Sequence, residues 1–380
     1  GFRRNTAAKF CHCRSMRSST PIPGSKHCWT NLIRLTDRLA PRDSGPMSQT
    51  SPAAAPAPPR SRRIKYIFEM AGFLLLVGFF RLFSLETASN IGGWIGRKLL
   101  APTGLSKPAR RNLAAAFPER TEKEREAILL GMWDNLGRVM AEYGHLDALR
   151  WTASGGRFTV EGLQHFEAAK AHGKGLLLIS GHFANWELLP FAARAHDVSG
   201  ASVVRPTNNP YVNAWLDRAR KKHGLPELIS KGAQGTRRIF TLLRKGDAIC
   251  MLVDQRTSEG VYVPFFGRDA PTTPVPAALA LKLGAVIVPV SNLRVSGTHF
   301  RVQVYPPIEP VRTDNHDRDV LETTAAINRF IEDRVRENPA QWLWLHRRWA
   351  DAGAKPRKRG AQVLSTAFSA DADSDGSSRV

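Results

Sequence analysis

The chain has 380 residues, 42% hydrophobic and 23% charged, which supplies a sizeable core and excludes collagen-like, disulfide-rich and wholly disordered classes. Lys and Arg outnumber Asp and Glu by 55 to 33, a formal +22, so an anionic partner is expected: nucleic acid, acidic lipid or an acidic carrier. Nine basic against two acidic residues fall in 1–46 and five against four in 351–380, which leaves +14 on the body between them.

Residues 1–46 begin without Met and show no hydrophobic period. They carry Cys11, Cys13 and Cys28, and Cys11 with His12 suggests a metal site, but no second pair follows at zinc-finger spacing. No metal is expected. The stretch reads as disordered or as lying upstream of the true start, with Met47 a candidate initiator ahead of a Pro/Ala/Ser-rich linker over 48–59. Residues 1–64 are assigned together on this basis. Cys250 is the one cysteine of the body, which supports no intramolecular disulfide framework and fits a reducing compartment.

Arg60, Arg62, Arg63 and Lys65 precede an apolar stretch over 67–83, whose longest uncharged run is 70–80. A spanning helix needs about 20 apolar residues, so this run is short for one. No convincing small-residue cleavage site follows, which argues against a secretory signal. A basic flank entering a Phe/Leu-rich helix suits an anchor dipping into an anionic leaflet, and residues 65–98 are read as that hydrophobic membrane anchor. A buried core helix is the competing reading.

Helical patterning continues over 110–117 and 121–144, where Thr121 and Glu124 have the spacing of a capping box. Strand signals then alternate with helical ones. Strands are expected near 159–160 and at 176–180, 202–204, 228–229, 248–253, 286–290 and 300–304. Helices are expected at 163–171, 210–223, 236–244, 317–336 and from Pro274 to Leu283. This alternation predicts an α/β domain with a central mixed sheet flanked by helices. There is no internal repeat, and 353–380 is basic and then Ser/Asp-rich, the composition of a disordered tail.

The stretch Leu176-Leu-Leu-Ile-Ser-Gly-His-Phe-Ala-Asn-Trp-Glu187 carries the chemistry. An apolar strand delivers Gly181 and His182 to its carboxyl end, where α/β folds place their ligands. On one continuous helix His182 and Glu187 would sit about 140° apart. They meet only if His182 precedes the helix and Glu187 lies in its first turns, and Gly181 eases such a turn. The carboxylate would then fix the imidazole tautomer and leave the other ring nitrogen as a general base. A base and its orienter without a protein nucleophile imply that the nucleophile belongs to a substrate, and an activated hydroxyl attacking an acyl group is one natural chemistry. A structural histidine at a strand end is the bland alternative.

Gly181-His-Phe-Ala-Asn-Trp-Glu187 resembles the H-x-x-x-x-[DE] motif of the glycerolipid acyltransferase superfamily, in the form found in the late acyltransferases of bacterial lipid A synthesis. Further blocks agree in order: Val203-Val-Arg-Pro206 with Asn208 to Pro210, Leu252-Val-Asp-Gln255 leading to Val263-Pro-Phe-Phe-Gly267, and Val286-Ile-Val-Pro289. Asn338-Pro-Ala-Gln-Trp-Leu-Trp-Leu-His-Arg-Arg-Trp349 resembles the closing signature. The likeness runs over about 65–350 and makes 99–352 an acyltransferase domain, glycerolipid-acyltransferase-like in fold. The loop 256–261 is shorter than in the common pattern.

The resemblance implies transfer of a fatty acyl chain from an acyl carrier protein thioester to a hydroxyl of a membrane glycolipid, a lipid A precursor. It makes His182 the catalytic base and Glu187 its orienting partner. Arg205 suits an anionic group of acceptor or donor, with a local ion pair as the alternative. Asp254 and Gln255 end a buried strand as His182 does and are expected to face the same cleft, in a binding or a loop-shaping role. Phe265, Phe266 and Gly267 form a turn beside either the core or an acyl-chain groove. His346, Arg347 and Arg348 amid Trp342, Trp344 and Trp349 read either as a basic aromatic surface or as a terminal helix packing its tryptophans inward.

The expected partners are acyl carrier protein, an anionic glycolipid and the membrane surface, with no nucleic acid and no cofactor beyond the acyl-carrier co-substrate. The expected location is the bacterial inner membrane, with the catalytic domain on the cytoplasmic face. Competing readings are an acyltransferase for another lipid such as a phosphatidylinositol mannoside, a lipid or thioester hydrolase, and a nucleic-acid binder suggested by charge alone. No G-x-S-x-G elbow supports a serine hydrolase, and no nucleic-acid motif is present.

Overall fold

The computed structural model describes residues 60–149, 156–230, 232–258 and 260–349. These belong to the compact unit Pro58–Val380. The expectations for residues 1–59 and 353–380 lie outside the described residues.

Helix α1 (Arg60–Arg81) begins ahead of the apolar stretch and buries Met70, Val77 and Phe80 on one side. The opposite side exposes Ile64, Phe68 and Leu75, at spacings of four and seven that keep them on one helical face. Among the described residues no helix is long and apolar enough to cross a membrane. Ser84 caps α2 (Leu85–Ile95), which runs into a π-helical turn and then α3 (Lys107–Ala116). The capping box expected at Thr121 and Glu124 forms and starts α4 (Glu122–Glu142).

The α/β body follows. Its seven strands are β1 (Phe158–Glu161), β2 (Leu176–Ser180), β3 (Gly200–Val204), β4 (Glu227–Ser230), β5 (Ala248–Leu252), β8 (Val286–Ser296) and β9 (His299–Val304). They lie in the order β1-β9-β8-β2-β5-β3-β4. All neighbours are parallel except β8 and β9, which are antiparallel and hairpin-connected, so the sheet is mixed. The intervening helices are α5 (Leu163–Ala171), α6 (Leu188–Ala195), α7 (Pro210–His223), α8 (Ala233–Arg244), α9 (Val275–Leu283) and α10 (His316–Glu337). Strand β2 is buried along its whole length, as a central parallel strand covered on both faces must be.

Two strands outside the sheet, β6 (Val261–Phe265) and β7 (Arg268–Thr272), form an antiparallel hairpin that the sequence reading did not contain. Its turn places Phe266 and Gly267 at φ of 53° and 67°, the pair of positive values that a two-residue hairpin of this twist requires. Phe265 and Phe266 are buried against Phe117, Trp344 and Trp349, so the aromatic pair belongs to the core. The closing segment is a single 3₁₀ turn (Pro339–Gln341) followed by irregular chain with a turn at Trp344 and Leu345, not a terminal helix. Trp342, Trp344 and Trp349 are nonetheless buried, and so is Arg348.

Candidate active site

Strand β2 ends at Ser180, and its carboxyl end delivers His182 into a loop before α6, whose N-cap is Glu187. The neighbouring β5 ends two residues before Asp254. Parallel pairing of the two strands in register (Ser180 opposite Leu252) therefore carries His182 and Asp254 to the same edge. Gly181 lets the chain turn closely past both. A Cβ there would sit 2.8 Å from the Phe183 ring and 3.2 Å from Asp254 Oδ2, so a larger residue would push on the Phe183 ring and on the carboxylate that holds His182.

His182 Nδ1 lies 2.8 Å from Asp254 Oδ1, and the His182 backbone N–H donates to Asp254 Oδ2, also at 2.8 Å. Trp342 Nε1 donates to the same Oδ2 at 2.7 Å. Asp254 is 3% exposed. Burial alone would raise its pKa, but the His182 imidazole and these donors outweigh burial and hold it down at about 2. The carboxylate is ionised, accepts from Nδ1–H, and leaves Nε2 as the basic nitrogen facing the cleft.

Glu187 does not make the imidazole contact expected of it. Its carboxylate accepts from Arg220 at 2.9 and 2.6 Å in bidentate fashion and from the Tyr143 hydroxyl at 2.7 Å. The physical reason is local. Glu187 lies at the N-terminus of α6, buried and pinned against α7 and the end of α4, so its charge is committed to Arg220. Burial works to raise its pKa and the guanidinium overrides it, so the acid stays ionised.

The loop between these residues is braced from beneath. Ala184 adopts φ of 44°, uncommon for a residue with a Cβ. Its N–H donates to the Gln341 carbonyl and its carbonyl accepts from Asn135 Nδ2, so both of its backbone groups are held. Asn185 Nδ2 donates to Glu142, whose buried carboxylate is paired with Arg294. Leu343 N–H donates to the His182 carbonyl. The closing segment thus clamps the His182 loop by backbone and, through Trp342, fixes Asp254.

Beside His182 opens a cavity of about 260 Å³ over one face of the sheet. Strands β2, β5, β3 and β9 line its floor through Leu178, Cys250, Ser202 and Val302 among others. Phe166 of α5 and Leu189, Ala192 and Ala193 of α6 line it from the helices. Its polar part is His182, Arg205, Gln255 and His346, with Glu187 and Arg220 in the wall. Arg205 is exposed just past β3, with no carboxylate partner among the described residues. Gln255 Nε2 stands 3.1 Å from His182 Nε2 and 2.8 Å from His346 Nε2.

His182, Glu187, Arg205 and Gln255 therefore line one cavity, and Asp254 is buried behind the His182 ring, outside that lining. Phe265, Phe266 and Gly267 are not among its lining residues. Arg220, Tyr143 and Trp342 were missed from sequence. Arg220 sits in the run Arg218-Ala-Arg-Lys-Lys222, which reads as a solvated helix face, and nothing in that run marks the one arginine that turns inward.

A family model described as bacterial lipid A biosynthesis acyltransferase matches residues 58–351. The lipid A biosynthesis lauroyltransferase of Escherichia coli (strain K12) is 30% identical over 258 residues, covering 64% of this chain and 78% of that protein. The lipid A biosynthesis palmitoleoyltransferase of the same organism is 28% identical over 249 residues, covering 63% and 77%. The crystal structure of the 1-acyl-sn-glycerophosphate acyltransferase from Thermotoga maritima aligns with 72% of this chain and 98% of that one, at 14% identity and a TM-score of 0.30.

Proposed function

The chain belongs to the bacterial lipid A biosynthesis acyltransferase family, and from that premise we propose that it moves a fatty acyl chain from an acyl carrier protein thioester to a hydroxyl of a lipid A precursor. The observation that carries this reading is the His182–Asp254 pair at the polar end of an apolar cavity. Such a cavity holds a hydrocarbon chain with its carboxyl end near the base. Lipid A relatives such as the lauroyl- and palmitoleoyltransferases named above support the acceptor class.

In the proposed reaction His182 Nε2 takes the acceptor hydroxyl proton as that oxygen bonds to the thioester carbonyl carbon. Asp254 steadies the imidazolium that forms. The C–S bond of the tetrahedral intermediate then breaks, and the leaving thiolate takes the proton back from His182. The products are an ester and the free carrier thiol. Arg205, exposed beside His182, is assigned to a phosphate of the acceptor or the carrier prosthetic group. Glu187 keeps a structural part, fixing α6 to α7 through Arg220.

The membrane side of the proposal rests on α1. Its exposed Ile64, Phe68 and Leu75, with Leu82 just past its end, form an apolar face flanked by Arg62, Arg63 and Lys65, the pattern of a helix lying in the interface of an anionic leaflet. Phe73 of α1 packs edge-on against Trp215 of α7, the helix that supplies Arg220. We place the catalytic domain on the cytoplasmic face of the bacterial inner membrane, where a body of +14 meets acidic lipid and an acidic carrier.

Mass spectrometry of lipid A from cells with and without the gene tests the proposal. Loss of one secondary acyl chain is expected. Unchanged lipid A together with a lost acyl group on another membrane lipid, such as a phosphatidylinositol mannoside, would contradict the acceptor.

A further inference from the structure

The orientation of the Gln255 amide, with Nε2 toward both imidazoles, sets the hydrogen-bond polarity at the polar end of the cavity. Asp254 accepts from His182 Nδ1, so the other ring nitrogen offers only a lone pair. The Gln255 side-chain amide, 3.1 Å away, must donate to it. The second hydrogen of that same –NH₂ group serves His346 Nε2 at 2.8 Å, which must accept as well. One amide thus bridges two imidazoles whose ring centres are 5.9 Å apart. His346 is accordingly neutral with its proton on Nδ1, and burial, with His182 nearby, lowers its pKa in the same sense.

The nitrogen covered by Gln255 is the one that takes the acceptor proton. An uncovered base beside a bound thioester activates water instead. Water gives its proton to His182, its oxygen bonds to the carbonyl carbon, the C–S bond breaks, and the thiolate takes the proton. The donor is then spent as free fatty acid and carrier thiol.

We propose that Gln255, held by His346, is a displaceable cap on His182 that keeps water from the base until the acceptor hydroxyl replaces it. The proposal rests on the acyltransferase reading of the site. A single neutral hydrogen bond is weak enough to exchange for an incoming hydroxyl. His346 retains the amide through its second hydrogen and defines where it goes. A side-chain amide is suited to this because it carries two donors on one atom. Gln255 is a positioning residue in this scheme, acting through His182, and it sets the partition between transfer and hydrolysis.

The test follows both products in one reaction. The full chain in detergent micelles receives lauroyl- or palmitoleoyl-acyl carrier protein, with a lipid A precursor, and free fatty acid and acylated lipid are quantified together. Gln255→Ala is expected to raise the ratio of hydrolysis to transfer roughly tenfold or more. His346→Ala shifts it in the same direction. His346→Gln, whose side-chain oxygen restores an acceptor for the Gln255 amide, brings the ratio back toward wild type. The ratio is internal to each sample, so a smaller folded fraction cancels. An unchanged ratio in both alanine variants overturns the cap, as does free fatty acid release by Gln255→Ala that stays as fast when His182→Ala is added. Wild-type protein that forms neither product overturns the reading of the site itself, and the cap with it.

Discussion

Asp254 grips His182 twice, through the ring Nδ1 and through the backbone N–H, each at 2.8 Å. With the Trp342 indole it collects three donors on two oxygens. Asparagine has one acceptor oxygen and cannot serve both sides. In Asp254→Asn the oxygen faces the two N–H donors of Oδ2, and the –NH₂ turns to the ring. His182 then shifts to the tautomer protonated on Nε2 and loses its basic nitrogen. Initial rates of acyl transfer are expected to fall ~10²- to 10⁴-fold with the thermal midpoint largely retained. A rate within a few-fold of wild type would show that Asp254 does not set the tautomer.

Glu187 is expected to behave differently. Its partners are Arg220 and Tyr143, so Arg220→Met leaves a buried carboxylate without a counter-charge and should cost about 3–5 kcal/mol of stability. Glu187→Gln leaves the Asp254–His182 geometry in place and should lower stability more than the rate per folded molecule. Chemical denaturation paired with active-site-normalised rates separates the two effects. A rate loss in Glu187→Gln matching that of His182→Ala would return Glu187 to the imidazole.

Acid sensitivity follows from the same carboxylate. Folding lowers the Asp254 pKa to about 2, against about 3.9 for an unperturbed aspartate. The unfolded chain therefore binds the proton first, and stability falls as pH drops between these values. The contribution is fully present above about pH 5 and amounts to about 2–3 kcal/mol. Wild type should lose this increment progressively between about pH 5 and 1, most steeply between the two pKa values, measured by urea unfolding, and Asp254→Asn should lack that part of the slope.

The cavity makes a prediction about chain length. Cys250 lines the floor, fully buried, and burial pushes its thiol up to about 12, so it behaves as a small apolar group. Cys250→Phe fills space that an acyl chain needs. Competition among acyl donors of graded length should show preference moving to shorter chains. A uniform loss across all lengths would mean that the chain does not lie over β5.

Much of the fold was legible because its signals are local. The α5 and α7 spans emerged from periodicity, Gly/Pro punctuation and apolar runs, and so did β2 and the beginning of β5. The β6–β7 hairpin was not, since Phe266 and Gly267 lack the Asn-Gly or Asp-Gly signature and Pro264 and Pro271 weaken both strand patterns. At the site, the motif drew attention to His182 and Glu187, but spacing cannot say which acid meets the ring. That choice depends on β5 lying beside β2 in register and on an arginine arriving from α7. Both are tertiary facts. The tryptophans announced burial, whereas the indole N–H of Trp342 reaching Asp254 is visible only once the closing segment crosses under the loop.

In the proposed reaction His182, held by Asp254, activates an acceptor hydroxyl against a carrier thioester. The initial rate of acyl transfer from acyl-acyl carrier protein to a lipid A precursor, for wild type and His182→Ala at equal vesicle binding, checks this. The expected result is measurable transfer by wild type and none above background for the variant. Transfer by His182→Ala at the wild-type rate would contradict that role of His182.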